Sequence, residues 1–133
     1  MKKVPLLERD IVNEQELVSA VVWGHKDLGI RKIIKVQTRF PDMLVNVKGK
    51  EVYLELEVYS LGFREHINDL RYVSEGKFKG KRRPRLKDED DSRPVAVLCW
   101  VDDDTEHELR RRVPKLRVNE LQSLLRNRKK IVC

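Results

Sequence analysis

Three carboxylates stand where two short runs of alternating apolar residues meet: Asp42 just before the run 43–47, and Glu55 and Glu57 within the run 51–59. A Gly-containing turn at Lys48, Gly49 and Lys50 separates the runs, so they read as a β-hairpin that can bring Asp42 close to Glu55. Carboxylates gathered at strand ends repel one another unless a proton or a hard divalent cation compensates them, and the pattern therefore points to a metal site. An ordinary amphipathic strand explains the same letters, because its outer face is polar by alternation. On the second run Val52, Leu54, Leu56 and Val58 share one face, and Glu51, Tyr53, Glu55, Glu57 and Tyr59 the other. Two aromatics among three acids describe a face that is partly covered.

The flanking elements must deliver or support these acids. Asn13 is placed to cap a helix whose apolar residues Leu17, Val18, Val21 and Val22 recur at helical spacing. Glu14 lies three and four residues before Leu17 and Val18, so its carboxylate can point under the sheet toward the acids. It can equally be a first-turn acid favoured by the helix dipole. Glu16 reads as solvent-facing. The helix is expected to end near Gly24 to Gly29, and residues 30–40 form a first strand that Pro41 stops. Residues 61–75 read as a second helix with Phe63, Ile67, Leu70 and Val73 on its apolar side. His66, close behind the acidic strand, can be a structural hydrogen-bonding residue, a phosphate contact or a proton shuttle.

VAVLCWV at 95–101 is continuously apolar, the signature of a strand covered on both faces, with Trp100 in the core. Asp102, Asp103 and Asp104, crowded at the exit of that strand, could bind a cation but read first as a solvated turn leading into residues 105–112, and His107 has no evident partner. Residues 116–118 form a short last strand, and Asn119 caps a final helix with Leu121, Leu124 and Leu125 inward. The expected fold is α/β: an αβββαβ core in which a mixed central sheet is flanked by helices, the second helix crossing over to a parallel fourth strand.

At 133 residues the chain fits one domain, spanning residues 1–133. It carries no apolar run of spanning length and no signal core at its start, so the expected setting is cytoplasmic or otherwise intracellular, and Cys99 and Cys133 read as free thiols. The net charge of +7 is unevenly spread: residues 1–76 hold 12 Lys or Arg and 12 Asp or Glu, and residues 77–133 hold 17 against 10. The late excess, clustered from Lys77 to Arg93 and from Arg110 to Lys130, is the pattern of a polyanion-binding surface with nucleic acid as partner. Surface solvation, or the ion-pair-rich composition of a thermophile, accounts for charge alone equally well. Residues 77–93, with glycines, prolines and opposed charge blocks, read as a flexible basic loop that closes on a phosphate backbone.

The order of elements, Glu14 on the first helix, the Pro41-Asp42 pair and the triplet Glu55-Leu56-Glu57 together resemble the PD-(D/E)xK nuclease superfamily, the fold of many restriction enzymes and archaeal Holliday junction resolvases. The segments FPD, ELEVYSLGFREH and VLCWVDDD are also similar to small members of that group. The resemblance implies a restriction-endonuclease-like core and a metal-dependent DNA endonuclease. In it Asp42, Glu55 and the backbone carbonyl of Leu56 hold Mg2+ or Mn2+, with Glu14 and Glu57 completing the catalytic set. DNA contacts would fall to Lys77, Lys79, Lys81, Arg82, Arg83, Arg85 and Lys87, with His66 as a further contact. One residue departs from the pattern: Glu57 stands where the family carries lysine, as in its ExE variants. It implies either a general base or second-cation ligand, or an inactive nucleic-acid-binding module. Lys35, Gln37 and His66 are the residues positioned to take over the lysine's electrostatic role. Cutting both strands of a duplex is commonly done by two symmetric sites, which is compatible with a homodimer.

Overall fold

A computed structural model describes residues 10–37, 41–67 and 93–133. Helix α1 (Glu14–Gly24) leads into strands β1 (Ile30–Val36), β2 (Met43–Val47) and β3 (Lys50–Tyr59), followed by a 3-10 helix (Ser60–His66). Strand β4 (Val95–Val101), helix α2 (Glu108–Arg112), strand β5 (Arg117–Glu120) and helix α3 (Leu121–Asn127) complete the described chain. The five strands lie in chain order in one mixed sheet: β1, β2 and β3 pair antiparallel, and β3 with β4 and β4 with β5 pair parallel. No helix among the described residues is long and apolar enough to cross a membrane.

Asn13 caps α1 as its side-chain chemistry dictates, its Oδ1 accepting from the Glu16 N–H at 2.9 Å. Glu16 is not left to solvent: its carboxylate reaches back and accepts from the Val12 N–H at 3.0 Å, closing a reciprocal cap. The β2–β3 turn holds two residues with positive φ, Lys48 at 54° and Gly49 at 83°, the geometry whose twist matches that of the flanking strands. Glycine accepts this backbone without strain, and Asn46 Oδ1 holds the turn by accepting from the Gly49 N–H at 2.9 Å. This turn pairs Val47 with Lys50 and thereby sets the register of every residue above it.

Alternation divides the core in two. Leu17, Ala20 and Val21 of α1 and Leu121, Leu124 and Leu125 of α3 pack on Val45, Val52, Leu54, Leu56, Leu98 and Trp100. On the opposite face Phe63 of the 3-10 helix and Leu109 of α2 pack on Tyr53, Val95, Val97 and Cys99. Each fully buried Leu or Phe side chain contributes about 1.5–3 kcal/mol by leaving water. Strand β4 is covered on both faces as its apolar run requires. Cys99 and Cys133 are free thiols, the first buried and the second exposed.

Several expectations need correction. The first strand ends at Val36, and residues 38–40 lie outside the described chain. Val22 faces outward, 47% exposed, because the buried stripe of α1 runs through Leu17, Ala20 and Val21. The second helix starts as a 3-10 helix at Ser60; its later residues, Leu70 and Val73 among them, lie outside the described chain. Asn119 does not cap α3. It sits at 5% exposure in β5, donating to the carbonyls of Val97 and Val132 and accepting from the Val132 N–H, so it fastens the C-terminal segment to the sheet. Asp102, Asp103 and Asp104 do not form a solvated turn; their partners are described below.

Candidate metal centre

The hairpin register pairs Met43 with Leu54, so Asp42 and Glu55, the next residues outward on each strand, face one another. They share a side-chain hydrogen bond. Asp42 Oδ2 also accepts from the Leu56 N–H at 2.8 Å, which ties the first acid to the peptide between the other two. Gln37 fixes the approach to Asp42: its N–H donates to the Asp42 carbonyl at 2.8 Å and its Nε2 to the Pro41 carbonyl at 2.7 Å. Gln37 thus acts by holding backbone and supplies no charge. Lys35 is exposed and lies opposite Leu44.

Glu55 and Glu57 project from β3 to the face that carries Tyr53, away from α1, and are 3% and 7% exposed. Burial, then the hydrogen bond to Asp42 and its charge, push the Glu55 carboxyl up to about 11. Burial, then the charges of Glu14 and Asp42, push Glu57 up to about 8. Glu14 reaches in from the start of α1 and hydrogen-bonds Glu57; partial desolvation and the Asp42 charge hold its own carboxyl above the usual range. Glu14 thus keeps the exposed first-turn position of the dipole reading while its carboxylate reaches Glu57.

The 3-10 helix folds back over the same face. Phe63 is wholly buried beneath it, and its ring centroid lies 6.1 Å from that of His66. His66 Nε2 comes within 3.6 Å of Glu57 Oε1. Glu55, Glu57 and His66 each present one donor atom, all within 4.8 Å of one another. Gly62 passes so close that a Cβ built on it would lie 2.7 Å from Glu57 Oε2. Neither the donor position of His66 nor the approach of Gly62 follows from residue spacing, because both depend on the tighter 3-10 winding.

A cation fits this donor set on physical grounds. Glu55 Oε2 is buried with no hydrogen-bond partner among the described residues, a costly condition for a carboxylate oxygen. Bringing four acids together, two of them buried, likewise calls for compensating positive charge. Carboxylate oxygens suit Mg2+ and Mn2+, and an imidazole nitrogen adds a donor that the second accepts more readily.

A second acidic group ends β4. Ser60 Oγ donates to Asp102 Oδ1 at 2.7 Å and accepts from the Asp103 N–H at 3.1 Å, while Asp103 Oδ1 accepts from the Leu61 N–H at 2.9 Å. Asp104, 4% exposed, accepts from the N–H groups of Glu108 and Leu109 at 2.8 and 3.1 Å and so caps α2. Asp102 also pairs with Arg110 at 3.8 Å. His107, left unassigned by its sequence context, has its Nδ1 2.8 Å from an Arg110 guanidinium nitrogen.

Lys77, Lys79, Lys81, Arg82, Arg83, Arg85 and Lys87 lie outside the described residues. Arg93, at the end of that basic stretch, contacts Glu51 at 3.1 Å and the Tyr53 hydroxyl at 2.7 Å. Comparison with protein-family models, with curated proteins and with solved structures returns no match.

Proposed function

We propose that this chain is a metal-dependent DNA endonuclease that hydrolyses phosphodiester bonds, with a PD-(D/E)xK-type site on a restriction-endonuclease-like αβββαβ core. The observation that carries this reading is the pairing of Asp42 with a buried Glu55 whose Oε2 has no partner among the described residues, beside Glu57 and Glu14. Such an arrangement destabilises a metal-free fold and is useful for holding positive charge.

Asp42, Glu55 and the Leu56 backbone carbonyl are the residues that would hold Mg2+ or Mn2+. A bound ion of this kind supplies polarisation of a phosphate oxygen and acidification of water. Glu57, buried beside that pair, would either position the attacking water as a base or draw in a second cation. Glu14 holds Glu57 by a hydrogen bond. The basic residues from Lys77 to Lys87 would contact the DNA backbone without reading bases, which makes binding sensitive to salt and weakly selective for sequence.

The replacement of the family's lysine by Glu57 favours one alternative: a nucleic-acid-binding module of the same fold that does not cut. Plasmid, single-stranded, flap and four-way DNA assayed with Mg2+ and Mn2+ separate the two. Asp42→Ala and Glu55→Ala are each expected to lower cleavage by about three orders of magnitude. Cleavage that survives both substitutions sinks the proposed site, and tight salt-dependent binding with no cleavage establishes the silent module.

A further inference from the structure

We infer that Glu57 and His66, together with Glu55, form a second cation subsite with mixed nitrogen and oxygen donors, which takes Mn2+ in preference to Mg2+. The inference rests on the proposed metal-dependent reading of the Asp42–Glu55 pair and assigns Glu57 its role within it: a ligand that draws in another ion.

Three features of the site argue for it. The donor atoms of Glu55, Glu57 and His66 lie within 4.8 Å of one another, so side-chain movements of about half an ångström bring all three to bond lengths of about 2.0–2.2 Å from one shared ion. Glu55 also carries an oxygen, Oε2, that is fully buried and has no partner among the described residues. Charge balance points the same way, since Glu14, Asp42, Glu55 and Glu57 carry four negative charges when ionised and one divalent ion offsets only half of them.

The local backbone is shaped for this purpose. Phe63, wholly buried, anchors the 3-10 helix beneath His66, so the imidazole is carried by a fixed element and remains only a quarter exposed. Gly62 leaves the space that the Glu57 carboxylate occupies, since any Cβ there would meet Glu57 Oε2 at 2.7 Å. An imidazole nitrogen selects among hard cations: Mg2+ strongly prefers oxygen ligands and water, whereas Mn2+ and the later first-row ions accept nitrogen.

The test uses the full chain, stripped of metal and without DNA, titrated calorimetrically with Mg2+ and separately with Mn2+. Wild type is expected to take one Mg2+ and two Mn2+ per chain, and pulsed EPR of the Mn2+-loaded protein to show nitrogen coupling. His66→Ala should weaken the second Mn2+ by about tenfold or more, abolish the nitrogen coupling and leave Mg2+ binding unchanged. Gly62→Ala keeps every donor and displaces only the flexible end of Glu57, so it should weaken the same Mn2+ while preserving the fold. A single Mn2+ per chain in wild type, or a second Mn2+ indifferent to His66→Ala, overturns the subsite. Because binding is read without cleavage, two bound Mn2+ with no nuclease activity would count against the nuclease reading alone. Full cleavage with one bound Mn2+ would count against the subsite alone.

Discussion

Asp104 and Glu55 are buried to nearly the same degree, 4% and 3% exposed; Asp104 belongs to the run of acids that follows β4, and Glu55 to the acids gathered on β3. Asp104 receives two backbone N–H groups at the start of α2, whereas Glu55 meets another carboxyl group and leaves one oxygen with no partner among the described residues. Burial therefore does not separate a satisfied acid from an unsatisfied one; the partners do. An acid satisfied by backbone donors stabilises the fold it belongs to. One pressed against other acids destabilises that fold unless a proton or a cation compensates it.

The two groups are also connected. Asp102 and Asp103 hold Ser60 and the Leu61 N–H, which start the 3-10 helix, and that helix brings Gly62 and His66 over Glu57. The satisfied cluster at the exit of β4 thus braces the strained one on β3.

Paired substitutions measured in urea without metal should shift stability in opposite directions at the two acids. Asp104→Ala strips two N–H groups of their acceptor, one belonging to the wholly buried Leu109, and should cost about 1–3 kcal/mol. Glu55→Gln keeps a donor for Asp42 and removes a group that must take up a proton to be buried, so at pH 7 it should stabilise by about 1–3 kcal/mol. Equal signs for the two substitutions would erase the distinction between the clusters.

Glu57 should show a smaller effect. Glu57 has its carboxyl raised from 4.5 to about 8 in the fold, so the folded chain keeps a proton that the unfolded chain releases. Its stabilising contribution is complete below pH 4.5 and is lost as pH rises to about 8, where the folded form ionises as well. Thermal melts in EDTA across this window should fall more steeply for wild type than for Glu57→Gln. Because an ion needs ionised ligands, Mn2+ binding at pH 7 should release protons, as potentiometric titration would record.

The part of this site that could be read in the sequence follows from strong local rules. The two-residue turn at Lys48 and Gly49 determines the hairpin register, and the register alone places Asp42 against Glu55. Helical spacing from Leu17 to Val21 brings Glu14 to the right end of α1, and the apolar run of β4 declares a strand with two covered faces. The rest depends on contacts between distant residues. His66 joins the acids because the chain after Tyr59 winds as a 3-10 helix, with three residues per turn, so a helix read at 3.6 per turn points its side chains elsewhere. Asn119 looks like a helix cap until Val132 arrives from 13 residues away to take its side chain. The acids after β4 look solvated until Ser60, 42 residues earlier in the chain, supplies their donor.

The most direct measurement is anomalous diffraction from a crystal soaked in Mn2+. The expected map has a strong peak bonded to Asp42 and Glu55, and none at Asp102, Asp103 or Asp104. An empty Asp42–Glu55 pair, or an ion held by the acids at the end of β4 instead, would rule out a metal centre at Asp42 and Glu55.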